Sequence, residues 1–453
     1  MLNTIRRSAV SARAARFAAD EAAVSPPDHA PGLSVAPESQ ATEQTPASSA
    51  PVAPATLDVK RQAQARRYAR QQQRLSLVSL GLSALLVGIL LFSGLSFWLR
   101  DAIAFAPGWA PLAGWQPWRL GAYFLVLFLA TFVLGLPLSY YSGYILPRRN
   151  GISTQTVRGW LADEGKGLAL SLVFEIVAVE GMYALLAASP RWWWLWAGGA
   201  LLVITVLLAN LAPVLLMPLF YKFTPLADGE VKRRALALAA RAHVSVRGIY
   251  TMNMSARTTA ANAMVTGLGS TRRIVIGDTL LDHYTPDEIE VVVAHELGHQ
   301  AHYDIPKLIA VQTVTMLGGL YVVSLILAAT LRAFPQYAGL ADPATLPLIV
   351  ATLGVFGLVT LPLTNGFSRW VEHQADVYAL ETTGMSAAFV SAMTRLANQN
   401  LSEVDPSPVI EFLLYNHPSV GRRLAFGQRW ARQANQAQSG VGDARDGSAR
   451  SGD

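Results

Sequence analysis

The chain has 453 residues, of which 52% are hydrophobic and only 15% are charged. Soluble proteins carry about 25% charged residues, so this composition excludes an ordinary soluble protein and indicates long uncharged stretches. The net charge is +6, and the arginines concentrate beside apolar runs, which is typical of membrane orientation rather than nucleic-acid binding. The sequence contains no cysteine, so disulfides are excluded and any metal site must use nitrogen and oxygen ligands.

Both ends of the chain have low-complexity composition. Residues 1–59 are rich in Ala, Ser, Pro and Gln and show no sustained apolar periodicity. Such a segment cannot bury enough surface to offset its ordering entropy, so it is predicted to be a disordered tail. Its Arg-rich start faintly resembles an organellar transit peptide, and a basic cytoplasmic tail is the simpler interpretation. Residues 433–453 are predicted to be a second disordered tail.

Six stretches between these tails are long enough to span a bilayer, for which a helix needs about 20 apolar residues. They are residues 75–99, 120–147, 167–190, 192–221, 308–331 and 343–368. The third stretch contains Glu175 and Glu180. Acidic residues inside a span are functional candidates, and the alternative is that this stretch lies partly at the interface. The spans predict a membrane part at 60–221 and a second at 306–368.

The basic residues predict one orientation in the membrane. Six of them lie between residue 60 and the first span, and four lie between the second and third spans, whereas the opposite loops carry fewer. Because cytoplasmic loops are enriched in Lys and Arg, both termini and segment 222–305 are predicted to face the cytoplasm. The sequence therefore predicts a multi-pass integral membrane protein, which would lie in the inner (plasma) membrane of a bacterial source.

Segment 222–305 is the one sizeable polar insert between spans, and its patterns predict α+β structure. An amphipathic helix, GEVKRRALALAARAH, is followed by the strand VRGIYTMNM. Two more strands follow, joined by a turn at 267–270. A second helix opens at Thr285 with a capping box to Glu288 and proline at its first position.

That second helix contains the HExxH motif. His295 and His299 are four residues apart, so both imidazoles lie on one helical face and form half of a tetrahedral zinc site. Glu296, beside the first ligand, can reach the reacting water as a general base. Because HExxH also occurs by accident on surface helices, the assignment requires a third ligand.

Glu372 is the preferred third ligand. It lies just after the last span in SRWVEHQADVYAL, and Asp376 is four residues further along the same helical face. This spacing places one carboxylate toward the metal and another toward a ligand histidine, whose tautomer it can fix. The alternative is an amphipathic helix with two solvated acids. His302 is a competing candidate, but a ligand there would crowd one helix face, so a structural role is preferred.

The segment YNHPSVGRRL contributes His417, Arg422 and Arg423 as candidate donors for the oxyanion of a tetrahedral intermediate. Taken alone, a His-Pro pair is usually a turn, and the arginines are typical of a basic tail. Segment 369–432 is predicted to be the C-terminal helical part of the catalytic domain.

These residues together resemble the type I CAAX prenyl protease family of membrane-embedded gluzincin peptidases. The matching stretches follow the family order from about Leu136 to Leu424. They are LPLSYYSGYILPRRNGISTQT, NLAPVLLMPLFYKFTPLADGE, ANAMVTGLGSTRRIVIGDTLL, HELGH, SRWVEHQADVYAL and YNHPSVGRRL.

The resemblance implies roles for the site residues. The family's zinc ligands are matched by His295, His299 and Glu372, and its general base is matched by Glu296. The carboxylate of the ExxxD motif is matched by Asp376, and the C-terminal active-site pair is matched by His417 and Arg423. Asn262 and Ala263 match a segment on an edge strand that pairs with substrate backbone. In that family the helices enclose a water-filled chamber; eukaryotic members usually have seven spans, whereas six are predicted here.

The fold class expected is a mainly α-helical polytopic membrane protein of about six spans, with a cytoplasmic α+β zinc-peptidase domain. The expected function is zinc metalloendopeptidase, with one Zn²⁺ per chain. The expected partners are the lipid bilayer and a peptide or protein substrate, prenylated or membrane-associated substrates included, with no nucleic acid. The alternatives are a heat-shock-type quality-control peptidase acting on damaged membrane proteins and a zinc-bearing membrane scaffold without activity.

Overall fold

The computed structural model describes residues 55–104, 117–267 and 269–449. Most of the predicted tail at 1–59 lies outside these ranges. The N–H of Ala55 donates to Ser391 Oγ at 3.1 Å, and the N–H of Asp58 donates to Asn398 Oδ1 at 3.1 Å. Order therefore begins before residue 59, because these backbone groups bind side chains of a later helix. The sequence of the tail holds no sign of that distant pairing.

Within the described ranges, six helices are long and apolar enough to cross a membrane. They are Val59–Phe92, Pro117–Arg149, Val157–Ala188, Trp193–Leu219, Asp304–Ala333 and Pro343–Thr383. Their number and order confirm the mainly helical membrane fold. Between 0% and 22% of each apolar window is buried inside the protein. The remaining apolar faces are therefore available to lipid, in which a helix satisfies its own backbone hydrogen bonds.

We number the helices in chain order. They are α1 (Val59–Phe92), α2 (Leu95–Ala104), α3 (Pro117–Ser139), α4 (Val157–Ala188), α5 (Trp193–Leu211), α6 (Glu230–Arg241), α7 (Asp278–Leu281), α8 (Pro286–Ala301), α9 (Asp304–Ala333), α10 (Leu346–Thr383), α11 (Ser386–Gln399), α12 (Pro408–Leu414) and α13 (Val420–Ala449). Helix α3 continues through a π-helical turn at Tyr140–Ile145 to Arg149, and α5 continues through another at Ala212–Leu216. A proline lies in or near each turn, where it removes an intrahelical donor.

Buried hydrogen bonds tie the membrane helices to the start of α10. Tyr123 on α3 and Tyr183 on α4 are both fully buried. The Tyr123 hydroxyl lies 2.6 Å from Ser96 Oγ, and the Tyr183 hydroxyl lies 2.8 Å from Thr345 Oγ1. Pairing these hydroxyls avoids the desolvation penalty of an unsatisfied buried polar group. The N-terminal end of α10, whose other end carries Glu372, is thereby fixed against the bundle.

The polar insert forms a four-stranded sheet with the order β1-β2-β4-β3. Its strands are β1 (Phe223–Pro225), β2 (Ile249–Met252), β3 (Ala263–Thr266) and β4 (Arg273–Gly277). Strand β2 runs parallel to β4, and the other two pairs are antiparallel. The predicted strands β2, β3 and β4 are confirmed, whereas β1 is too short for its alternation to be seen in sequence. Strand β3 is an edge strand, since it pairs with β4 alone among the described strands.

Gly267 begins the turn between β3 and β4. Its φ is +85°, and a Cβ built there would lie 2.7 Å from the carbonyl oxygen of Thr271. Only glycine fits both the left-handed backbone and this close approach. Gly267 therefore lets the chain leave β3 in a left-handed conformation on its way back to β4.

Helix α8 is the central element of the peptidase part. Thr285 caps it by accepting from the N–H of Glu288, whose side chain accepts in return from the N–H of Thr285. The predicted capping box is confirmed. Val291, Val293 and Leu297 are completely buried against the sheet and the surrounding helices α6, α10 and α11. The histidines therefore belong to a helix that is fixed on nearly all sides.

Helix α13 extends to Ala449, so the predicted disordered tail at 433–453 is wrong over 433–449. This stretch contains no proline, and its four Ala and three Gln have good helix propensity, although its three Gly do not. A helix nucleated by the packed residues near Leu424 can extend through such a sequence, because propagation is far less costly than nucleation.

Candidate metal centre

The two motif histidines lie one turn apart on α8. Their ring centroids are 4.9 Å apart and the ring planes are nearly perpendicular, at 85°. His295 is buried and His299 is half-buried, and both line one cavity of about 870 Å³. In this arrangement one nitrogen of each ring can face a third metal-binding group from a neighbouring helix.

Helix α10 supplies the third group, Glu372. Glu372 Oε2 lies 3.2 Å from His295 Nε2, and Glu372 Oε1 lies 3.6 Å from His299 Nε2. The three ligand atoms all lie within 4.8 Å of one another. Glu372 Oε2 is buried and makes no hydrogen bond of good geometry. Two imidazole nitrogens and a carboxylate oxygen without a hydrogen bond therefore fit a tetrahedral metal ion that has an open fourth position.

The glycine of HELGH permits this approach of α8 to α10. A Cβ at Gly298 would lie 3.3 Å from the Cα of Ala375 and 3.1 Å from Tyr378 Cδ1. Both distances are tighter than ordinary contacts, so any larger residue would push the two helices apart. Because the ligands lie on both helices, that displacement would open the metal site.

Asp376 and Arg423 lie behind His295. Asp376 Oδ1 is 2.9 Å from His295 Nδ1, and Arg423 donates to both carboxylate oxygens at 2.6 Å and 2.9 Å. Burial alone lowers the pKa of His295, but the hydrogen bond to Asp376 and the nearby Glu372 carboxylate outweigh it and raise that pKa to about 9. Burial also lowers the pKa of Arg423, and the charge of Asp376 more than offsets it. The two carboxylates therefore make the surroundings of the His295 ring electrostatically negative.

His299 has its own carboxylate, which sequence reasoning missed. Asp304 Oδ2 lies 3.0 Å from His299 Nδ1. Asp304 is five residues beyond His299, and no helical spacing indicates such a contact. The left-handed backbone of Tyr303, with φ of +56°, ends α8 and brings Asp304 back toward the ring.

His417 lies on the opposite side of Glu372. Its Nε2 is 3.1 Å from Glu372 Oε1, and its Nδ1 is 2.8 Å from Asn416 Oδ1. The imidazole is about half exposed, and it lines the same cavity. Arg369 on α10 holds this segment in place by donating to the carbonyl oxygens of Glu411 and Tyr415. The sequence does not indicate Arg369 as part of the site, because its contacts are made across the fold. Asn416 contacts the adjacent residue His417.

Glu296 lines the same cavity beside the two histidines. Burial raises its pKa above the usual glutamate value, and the neighbouring histidines offset part of that rise. A carboxylate whose proton affinity is raised in this way is better suited to accept a proton near neutral pH.

The edge strand forms one wall of this cavity. Asn262, just before β3, is exposed, Ala263 is buried, and both residues line the cavity. The lining also includes Tyr68 and Gln72, from the part of α1 that precedes its apolar stretch. The sequence did not predict that α1 reaches the site, because a basic helix extension is usually a solvated segment.

Other candidates of the sequence do not join this group. His302 packs edge-on against Tyr378, with ring centroids 5.5 Å apart. Glu175 and Glu180 lie on the continuous membrane helix α4. Glu175 borders a groove of about 680 Å³ between the spans, and Glu180 lies against Gly121 of α3.

Comparison with known families gives two matches that together cover most of the chain. Residues 225–431 match peptidase family M48. Residues 40–222 match the family described as CAAX prenyl protease N-terminal, five membrane helices. Within the described part of that range, four helices are long enough to span, and the ten-residue α2 is an additional short apolar helix.

Similar proteins come from bacteria and yeasts. The uncharacterized metalloprotease YhfN of Bacillus subtilis is 30% identical, covering 81% of this chain and 85% of that protein. CAAX prenyl protease 1 of Saccharomyces cerevisiae is 32% identical, covering 65% of this chain and 69% of that protein. The crystal structure of S. mikatae Ste24p superposes with a TM-score of 0.70 at 25% identity, covering 82% of this chain and 89% of that one.

A multi-pass helical membrane protein with these relatives and a His-His-Glu group that could hold a metal ion is an integral-membrane metallopeptidase. The chain belongs to the CAAX prenyl protease 1 family of M48 peptidases. The resemblance expected from the sequence motifs is therefore confirmed.

Proposed function

We propose that this protein is a zinc metalloendopeptidase that cleaves peptide bonds at the cytoplasmic face of the membrane. The observation that carries the proposal is the convergence of His295, His299 and Glu372 within 4.8 Å, in the cavity that also contains Glu296. The three groups come from two helices that are separated in sequence by the membrane helix α9. A surface helix that spells HExxH by accident has no facing carboxylate of this kind.

Zinc is the metal that best fits this donor set, since nitrogen and carboxylate ligands in a group of three are typical of catalytic zinc sites. His295, His299 and Glu372 would hold one ion per chain. When bound, the ion supplies Lewis-acid polarisation of the scissile carbonyl. Asp376 fixes the His295 tautomer from behind, and the bidentate Arg423 fixes Asp376.

The protein groups then have separate tasks. Glu296 accepts the proton of the attacking water and passes it to the leaving amine. His417, half exposed at the cavity, donates to the oxygen that gains negative charge. Arg423 is only 13% exposed and is bound to Asp376, so it supports the site from behind rather than donating directly to substrate.

The substrate peptide would extend strand β3. Its outer edge has no partner among the described strands and lies at the cavity wall beside Asn262. Backbone hydrogen bonding to such an edge gives affinity without strong dependence on side chains. Recognition by this route suits a substrate that presents an extended segment.

The side of the membrane is proposed from charge. The α1 segment before the first apolar residues and the α3–α4 connection are the most basic parts around the spans, and such parts face the cytoplasm. Both termini would face the same side. The substrate is proposed to be a membrane-associated peptide or protein, and prenylated proteins are candidates because relatives are named CAAX prenyl protease 1.

Glu296→Gln tests the mechanism. The variant keeps the ligand set but lacks a proton acceptor, so it should bind zinc at wild-type stoichiometry while cleavage falls by about 10²- to 10⁴-fold. Zinc content is measured on the purified full-length chain, and cleavage is followed with casein and with one peptide in prenylated and unprenylated forms.

Glu290→Gln is the matched control. It makes the same change on the same helix, but Glu290 pairs with Arg234 and Arg241 outside the cavity, so it should cleave as the wild type does. Undiminished cleavage by Glu296→Gln would refute the assigned base. A wild-type chain that binds no zinc would favour a membrane scaffold instead.

A further inference from the structure

Asp304 is the first residue of the membrane helix α9, and its side chain is 1% exposed. A carboxylate this deeply buried is costly unless every oxygen is paired. Its Oδ2 lies 3.0 Å from His299 Nδ1, and its Oδ1 accepts from Lys307 Nζ at 3.0 Å. Both oxygens therefore have a partner, and one of those partners is a proposed metal ligand.

The backbone between the two helices makes this contact possible. If α8 continued, Asp304 would lie about 140° around the helix axis from His299, because each residue adds 100°. Tyr303 instead adopts φ of +56°, a conformation that is unfavourable for a bulky residue. Backbone strain is therefore located at Tyr303, and this conformation places the Asp304 carboxylate beside the His299 ring.

Lys307 connects this carboxylate to the helix of the third ligand. Its ammonium group lies 5.5 Å from the centre of the Trp370 ring, two residues before Glu372 on α10. A cation over an indole face is attracted by the ring quadrupole. Asp304 is thus held from α9 and, through Lys307, positioned relative to α10.

The same arrangement occurs behind the other histidine. His295 Nδ1 faces Asp376, which is held by Arg423, and His299 Nδ1 faces Asp304, which is held by Lys307. In each case an acceptor at Nδ1 keeps the proton there and leaves Nε2 with its lone pair. Both Nε2 atoms face Glu372.

We propose that Asp304 is a positioning residue for the metal centre, which fixes the tautomer and orientation of His299, with Lys307 as its support. This inference rests on the proposed metal ligation and adds that the first turn of a membrane span completes the site. Carboxylates of this kind typically alter metal affinity by about 10- to 100-fold.

The test measures zinc affinity of the full-length chain by competition with a chromophoric chelator. Asp304→Ala should raise the zinc Kd by about 10- to 100-fold, and cleavage should return at saturating zinc. Asp304→Asn keeps an acceptor oxygen for His299 and should weaken zinc less than Asp304→Ala does. Asp282→Ala, at an exposed acid outside the cavity, should bind zinc as the wild type does.

A purely structural role predicts a different pattern, in which zinc-saturated stability falls but affinity does not. An Asp304→Ala chain with wild-type zinc affinity would overturn the inference. If that variant fails to fold, Asp304→Asn decides by the same criterion, because severalfold weaker zinc binding supports the role and an unchanged Kd overturns it. A wild-type chain without zinc would instead overturn the proposed function itself.

Discussion

At the scale of single residues, the proposed metal site depends on buried charges. Asp376 is 1% exposed and has two partners, His295 and Arg423. The bidentate guanidinium satisfies both oxygens with a geometry that lysine cannot reproduce. Removing one member of such a pair costs more than the pair contributes, because an uncompensated charge remains buried.

Arg423→Gln is accordingly predicted to lower the free energy of unfolding by about 3–5 kcal/mol, since it strands the Asp376 carboxylate. The measurement is denaturant or thermal unfolding of the purified protein in detergent. Arg422→Gln is the matched control on the next residue. Arg422 is 67% exposed in its ion pair with Glu411, so its loss should cost about 0–1 kcal/mol. Equal losses in the two variants would contradict this difference.

Among the elements, α8 depends on its cap because the ligand histidines lie in its second half. Glu288 takes part in the capping box and also accepts from Ser391 Oγ at 2.5 Å and from Arg395 Nε at 2.8 Å. The start of α8 is therefore fixed to α11 as well as to its own backbone. This leaves little freedom for the helix to rotate its histidines away from α10.

Thr285→Ala should lower the free energy of unfolding by about 0.5–2 kcal/mol, because the N–H of Glu288 loses its acceptor. Thr285→Ser keeps the hydroxyl and should lie within a few tenths of a kcal/mol of the wild type. Unfolding midpoints of the three proteins compare them directly. Loss of stability in the serine variant equal to that of the alanine variant would show that the cap is not responsible.

Helix α10 combines two roles in one element. It has 38 residues, and its apolar first part crosses the membrane while its last turns carry Glu372 and Asp376. A continuous helix transmits the position of the span directly to the ligands. The hydrogen bond from Tyr183 to Thr345 fixes its other end, so the ligand end is supported by the membrane bundle.

At the scale of the whole molecule, the proposed metal centre joins parts that the chain separates. His295 precedes the membrane helix α9 in the chain and Glu372 follows it, so a bound ion would bridge α8 and α10. Any ligand that binds the folded chain stabilises it, by about 2.7 kcal/mol when its concentration is 100 times Kd.

Chelation should therefore lower the thermal midpoint of the wild-type protein, and added zinc should restore it. His299→Ala lacks a ligand and should show a much smaller response, whereas Glu296→Gln should respond as the wild type does. Thermal scans with chelator and with zinc provide the measurement. An equal response in His299→Ala would place the stabilising ion elsewhere.

The sequence by itself determined the six spans, the capped HExxH helix and the strands β2 to β4, because each rests on local periodicity or on a capping pattern. Family order along the chain also indicated Glu372, Asp376, His417 and Arg423. Only the tertiary structure decided that Asp304 lies against His299, that α1 lines the cavity and that α13 continues as helix. These features depend on one left-handed residue and on packing between distant segments, which leave no periodic trace in the sequence.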